Sequence, residues 1–340
     1  MIESLDDQDF MNRHYAILLL ITLGILMGGC KKKPVQMMKA EFGDPQAQYN
    51  LALSYFDGKG VSKNPKKGLE WLKKSADQGN SQAILSLALA YYHGIGTPVN
   101  RVEAVKWFQK IATTGDAVAQ NYLGAAYLKG EGIAKNETAA AEWFQKAVNL
   151  GNISAIVNLA YCNYTGKGVP VDFEKGTKLF RLAAENGNSE AQYNLGHAYQ
   201  IGYGVTMDRL EAIRWFQKGA DQGDLYAQLA LAAAYRRGDG VELNMEKSVQ
   251  WYKKAAAQGN PYAEYAVGTA YYYGDGAPKE PVEGLAWLYL SNASGNHQQI
   301  CEIAEKSLGV ESVQKAKKRA ADLQKEIEKQ TVPKAPKSLF

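Results

Sequence analysis

Between Gly43 and Gly295 the apolar positions recur in two alternating helical registers. In the first, Ala47, Leu51, Ala52 and Tyr55, matched further on by Ala191, Leu195, Gly196 and Tyr199, are spaced by four, one and three, which puts them on one face of a helix. In the second, a small residue precedes an aromatic pair: Ala104, Trp107, Phe108; Ala140, Trp143, Phe144; Ala212, Trp215, Phe216. Small residues let neighbouring helices approach, and the Trp is expected to fill the space between layers. The pattern therefore predicts an all-α chain in which a helix A and a helix B alternate.

The punctuation between these helices is periodic. Gly followed by Asp or Asn falls at Gly43-Asp44, Gly79-Asn80, Gly115-Asp116, Gly151-Asn152, Gly187-Asn188, Gly223-Asp224, Gly259-Asn260 and Gly295-Asn296, every 36 residues without insertion. A fixed period of this length marks a solenoid. A second ladder, from Gly58/Gly60 to Gly274/Gly276, supplies the turn between A and B; it lacks the preceding strand and following Lys-Ser/Thr of a phosphate-binding loop. Asp44 to Asn296 form one series of helix N-caps. Asn64, Asn100, Asn136, Asp172, Asp208, Asn244 and Glu280 form the other, with Pro65 and Pro281 in first helical positions.

Taken together, A-x-x-x-L-G/A-x-x-Y-x-x-G-x-G in helix A and its loop and A-x-x-W-F-x-K-A in helix B resemble the Sel1-like repeat, over seven full repeats from 43 to 294. The resemblance implies a right-handed superhelix of seven to eight antiparallel helix pairs, related to tetratricopeptide arrays, and a role in assembling protein complexes. Repeat four departs from the pattern: Leu179 replaces the Trp and Asn163 the loop-proximal Tyr, with Tyr164 one place later. This reads either as drift or as a local bend or contact site.

Ahead of the repeats, Tyr15 to Gly29 is an almost wholly apolar run of fifteen residues, short for a membrane span but suited to a signal-peptide core. It ends in Leu26-Met27-Gly28-Gly29-Cys30, which resembles the lipobox of bacterial lipoproteins, where the Cys is acylated and becomes the mature N-terminus. Glu3, Asp6, Asp7 and Asp9 fit a signal peptide badly, so Met11 is the expected start; a non-cleaved anchor is the rival. The expected organisation is a signal peptide over 1–29, a lipid-anchored tether over 30–42, repeats over 43–294, a degenerate eighth repeat with a capping helix over 295–330, and a disordered tail over 331–340. Val313, Ala316, Ala320, Leu323 and Ile327 form the apolar stripe of that capping helix. The resemblance implies a bacterial envelope location, and Lys31 after the Cys leans toward the outer membrane facing the periplasm.

Charge adds little. The formal +4 becomes +7 once residues 1–29, with one Arg and four acids, are removed. No basic-aromatic nucleic-acid module is visible, the mature chain's His93, His197 and His297 have no metal-ligand spacing, and no cofactor is implied. Some disulfide-rich relatives of the Sel1-like family are linked to β-lactam binding or hydrolysis, which makes a β-lactam-binding or peptidoglycan-processing hydrolase the alternative function. Ser312-Val-Gln-Lys315 is a formal S-x-x-K match, but no Lys-Thr-Gly accompanies it. The relatives' Cys pair in each repeat is also missing, Cys162 and Cys301 being too far apart in a solenoid to bridge. The expectation is a non-enzymatic scaffold.

Candidate binding residues follow from helix geometry. At about 100° per residue the shared core slots of helix A fill one arc and leave a variable opposite arc. Tyr49, Leu85, Val157, Tyr193, Leu229 and Tyr265 lie there in one register, Leu53, Leu89, Tyr161 and His197 in a second, and Tyr226 and Tyr262 in a third. In related solenoids helix A lines the concave side, so Tyr49, Tyr161, Tyr193, Tyr226, Tyr262 and Tyr265 are expected in an apolar groove for a protein partner or extended peptide. The other reading is that several of them pack against helix B or the next repeat.

Overall fold

The computed structural model describes residues 35–293 and 295–331, and every regular element among them is helical. A short α1 (Val35–Glu41) precedes alternating A and B helices: α2 (Pro45–Asp57) and α3 (Pro65–Asp77), α4 (Ser81–His93) and α5 (Arg101–Ala112), α6 (Ala117–Lys129) and α7 (Glu137–Asn149), α8 (Ile153–Thr165) and α9 (Phe173–Glu185). Then come α10 (Ser189–Ile201) and α11 (Arg209–Asp221), α12 (Leu225–Arg237) and α13 (Met245–Ala256), α14 (Pro261–Tyr273) and α15 (Pro281–Ser291), followed by α16 (Gln298–Ser307) and α17 (Val310–Thr331). The chain divides after Asn100 into two compact units, one holding α1–α4 and the other α5–α17. The signal segment, Cys30, the lysines after it and the tail from 332 lie outside the described residues.

The caps explain where the helices begin. Asp44, Asn80, Asp116, Asn152, Asn188, Asp224 and Asn260 each accept a backbone N–H three residues on, as in Ala191 N–H to Asn188 Oδ1 at 2.8 Å. Asn64, Asn136, Asp172, Asp208 and Asn244 do the same for B helices. Two expected caps are corrected. Glu280 makes no capping bond: its side chain is one methylene longer than Asp, and the reach that suits a short oxygen is lost. Asn296 does not start a helix either, since α16 begins at Gln298 with His297 before it.

The core is built from one slot per helix. Leu87, Leu123, Leu159, Leu195 and Leu231 from A helices and Phe108, Phe144, Phe180 and Phe216 from B helices are fully buried, each contributing about 1.5–3 kcal/mol of apolar burial. The Trp column divides, with Trp215, Trp251 and Trp287 buried in the core as the sequence suggested. Trp71, Trp107 and Trp143 are half-buried, with Lys74, Lys110 and Lys146 over their rings at 4.1, 5.0 and 3.9 Å. Adjacent residues on a helix point about 100° apart, so Phe108 and Phe144 aim more squarely inward than Trp107 and Trp143, and the Lys one turn on covers the Trp edge. In repeat four Leu179 and Leu182 replace Trp and Lys together. There Asn163 is buried and its Nδ2 donates to the Leu159 carbonyl at 2.8 Å, while Tyr164 packs edge-on against Phe180 at 5.2 Å.

A glutamine ladder ties successive repeats. Gln48, Gln120, Gln192 and Gln228 donate to the carbonyls of Ala40, Ala112, Ala184 and Ala220 eight residues back, at 3.0–3.3 Å. Three of them also accept from a second glutamine thirty residues on: Gln78, Gln222 and Gln258, at 2.7, 2.7 and 2.9 Å. After Gln120 that place is Leu150, and the Gln120 Oε1 is buried without a partner. In the seventh repeat the slot holds Glu264. Beyond it, α17 lays Ala320, Leu323 and Ile327 against Trp287 and Leu290, and Val313 and Ala316 against the cluster of Leu285, Leu288 and Cys301. Arg319 clamps it to Glu283 at 2.9 Å. Cys162 and Cys301 are both buried and both free.

Candidate functional site

The A helices of the second unit pack side by side, α6 against α8 and α10 against α12, and a Tyr161–Asn194 hydrogen bond joins α8 to α10, so the arcs opposite their core slots form one face from α6 to α12. Tyr226 on α12 is 60% exposed and Tyr262 on α14 is 54% exposed. Tyr161 on α8 is 36% exposed, while Tyr193 on α10 and Tyr265 on α14 are half-buried. Tyr193 bridges two repeats: its ring lies 5.6 Å from Tyr226 and 5.9 Å from Phe216. Tyr262 stands edge-on to Tyr252 at 5.9 Å, and Tyr265 stacks on His297 at 4.5 Å.

Not every expected groove residue reaches this face. Tyr49, in the first unit, is only 8% exposed, and Val157 and Leu89 are buried as well. At about 100° per residue, the Tyr49 slot is only about 60° from the fully buried Ala52, whereas the Tyr226 and Tyr262 slot lies a further 60° out. The slot nearer the core is thus half-buried at best, and Tyr49 belongs to the interior.

Polar residues that periodicity alone does not single out complete the face. Asn158 donates to Asn121 at 2.8 Å, and Asn194 donates to the Tyr161 hydroxyl at 2.7 Å, which itself donates to Glu190 at 3.1 Å. The recurrence of Asn158 and Asn194 in one slot, 36 apart, is the signal that marks them. Burial, then Glu190, pushes the Tyr161 phenol up to about 12. Burial raises Tyr193, with Asp224 adding to the effect, and burial lowers His197. The face is therefore aromatic and hydrogen-bonding, with Glu190 and Asp224 beside its tyrosines. Among the described residues no group of three His, Cys, Asp or Glu side chains is placed to hold a metal.

A family model described as the Sel1 repeat matches residues 45–80, 81–116, 117–152, 153–188, 189–224, 225–260 and 261–296. The chain belongs to the Sel1 repeat family. The helix pairs, Gly-x-Gly loops and cap ladders above are thus one Sel1 unit repeated seven times, an all-α solenoid architecture. Among solved structures, a Sel1 repeat protein from Oxalobacter formigenes is 30% identical, with 80% of this chain and 79% of that one covered and a TM-score of 0.70. The protein c5321, described as a protective antigen present in uropathogenic Escherichia coli strains displaying an SLR fold, is 25% identical, with 87% and 80% covered and a TM-score of 0.52. No curated protein matches the sequence.

Proposed function

We propose that this Sel1 protein is a membrane-anchored envelope lipoprotein whose A-helix face holds a protein partner or an extended peptide. The observation that carries the reading is the exposure of Tyr226 and Tyr262 on α12 and α14, with Tyr161 and Tyr193 beside them. Rigid aromatics that offer both a ring and a hydroxyl are the usual anchors of recognition surfaces, and the Asn158 and Asn194 amides add hydrogen-bonding capacity for a backbone. Changing Tyr226 or Tyr262 singly to Ala is expected to weaken partner capture at least tenfold and to cost less than about 1 kcal/mol of stability, since both are exposed. Loss of several kcal/mol, or unchanged capture, would contradict the assignment.

The anchoring half of the proposal rests on the lipobox-like Leu26-Met27-Gly28-Gly29-Cys30. Acylated Cys30, followed by Lys31, tethers the repeats to a bacterial membrane, the outer one facing the periplasm. Mass spectrometry of the mature N-terminus should find diacylglyceryl-modified Cys30, and Cys30→Ala should release the protein from membranes. A chain still beginning at Met1 or Met11, or membrane retention unchanged in the variant, would refute it. Among the described residues no helix is long and apolar enough to cross a membrane.

A further inference from the structure

Repeat six differs from its neighbours at three slots that converge on one cavity. The helix A slot that holds Phe56, Tyr92, Tyr164 and Tyr272 elsewhere holds Arg236; the helix B slot of Phe108, Phe144, Phe180 and Phe216 holds Tyr252; and the first helix B residue, Arg101 or Arg209 in two other repeats, is Met245. Each change leaves a polar group unmatched. Arg101 and Arg209 pair with the loop acids Glu131 and Asp239 at 3.4 and 3.0 Å, but Met245 has no charge to offer the equivalent Asp275. Gln200 reaches Asp239 at 3.3 Å, whereas Arg236, one repeat on, makes no ion pair among the described residues and lies beside the Tyr252 hydroxyl instead.

The resulting cavity, about 340 Å³, is lined by Arg236, Ser248, Tyr252, Tyr265, Tyr273 and Asp275 among others. Tyr252 is 2% exposed and its hydroxyl has no hydrogen-bond partner, which is costly for a buried donor. Burial and then Tyr262 raise its phenol, and the neighbouring Arg236 guanidinium opposes them. Arg236 is itself exposed and forms the wall beside that hydroxyl. Tyr265 joins the cavity to the A-helix face.

The charges in the lining cancel. A lone carboxylate would gain Arg236 and suffer Asp275, and a cation the reverse. A neutral group that carries an acceptor oxygen beside an N–H donor satisfies both, and leaves the Tyr252 hydroxyl a second acceptor lone pair. We propose that the cavity bounded by Arg236, Tyr252 and Asp275 is a socket for a primary carboxamide, the Asn or Gln side chain of a peptide held on the A-helix face. This rests on the peptide-scaffold reading above.

The test titrates the full-length protein with N-acetyl-glutamine methylamide and with its glutamate, lysine and norleucine counterparts, followed by saturation-transfer NMR. The glutamine compound should bind saturably and at least tenfold more tightly than the other three, and Arg236→Met or Asp275→Leu should each reduce that binding at least fivefold. Tyr252→Phe restores the residue four other repeats carry, so it should raise the Tm of the free protein while weakening binding. Tyr226→Ala should leave fragment binding unchanged, because that variant probes the face and not the cavity. Equal binding of the four compounds, no saturable binding, or binding that survives both charge changes would overturn the socket and leave the tyrosine face standing on its own test.

Discussion

Gly168→Ala is expected to lower stability by at least about 3 kcal/mol, and Gly187→Ala by only about 1. Both glycines have positive φ, 74° and 85°, so both substitutions carry the left-handed backbone penalty of about 1–2 kcal/mol. They differ in surroundings. A methyl at Gly187 meets nothing within 4 Å, whereas one at Gly168 overlaps the backbone carbonyl of Glu137, at the start of helix B in the preceding repeat. The same approach recurs at Gly240, where the added carbon would lie 2.6 Å from the Arg209 carbonyl oxygen. Since backbone cannot rotate away as a side chain can, the two repeats must separate. In a solenoid the damage stays local, so hydrogen exchange should show lost protection in α7 to α10 for Gly168→Ala alone. Equal, small losses for the two variants would show that the loop does not lock adjacent repeats.

Glu264→Gln is expected to stabilise the protein by about 3 kcal/mol at pH 8 and to do nothing at pH 4.5. Glu264 is 5% exposed and sits in the slot where four other repeats place a Gln that donates to the carbonyl eight residues back. A carboxylate cannot donate, and burial pushes this carboxyl from its ordinary 4.5 up to about 7. The native protein therefore holds the proton more tightly than the unfolded chain, and stability falls as pH rises from about 4.5 through about 7, the penalty being complete above that. Gln removes the charge and restores the donor. Thermal denaturation at both pH values reads the effect, and a benefit of equal size at pH 4.5 and pH 8 would mean that ionisation of Glu264 is not its cause.

Most of the fold is legible in the chain because the same physical requirements recur in phase: Gly58 and its successors at helix C-termini, Asn188 and its equivalents at N-termini, Leu195 and Phe216 in the core. Seven repetitions turn weak local preferences into a firm assignment. What resisted reading depends on direction and reach. Trp215 and Phe216 are both apolar, and periodicity alone does not say that the Phe is the more enclosed of the pair at 0% against 6%. Glu280 stands in register with asparagine caps yet makes no capping bond. The site divides in the same way. Tyr226 and Tyr262 emerge where the helical arc puts them, but Tyr49 is buried, since its slot borders the core. Arg236, Tyr252 and Met245 depart from their columns, but their convergence with Asp275 on one cavity needs the packing of α12, α13 and α14.

Site-specific photocrosslinking in intact cells tests whether partners are held on the tyrosine face of the A helices. A benzophenone amino acid placed at Tyr193, Tyr226 or Tyr262 is compared with the same group at Glu142 or Lys178, exposed positions on the B helices α7 and α9. One common crosslinked product is expected from the three tyrosine positions and none from the two B-helix positions. Capture from Glu142 or Lys178, with nothing from Tyr226 and Tyr262, would contradict it.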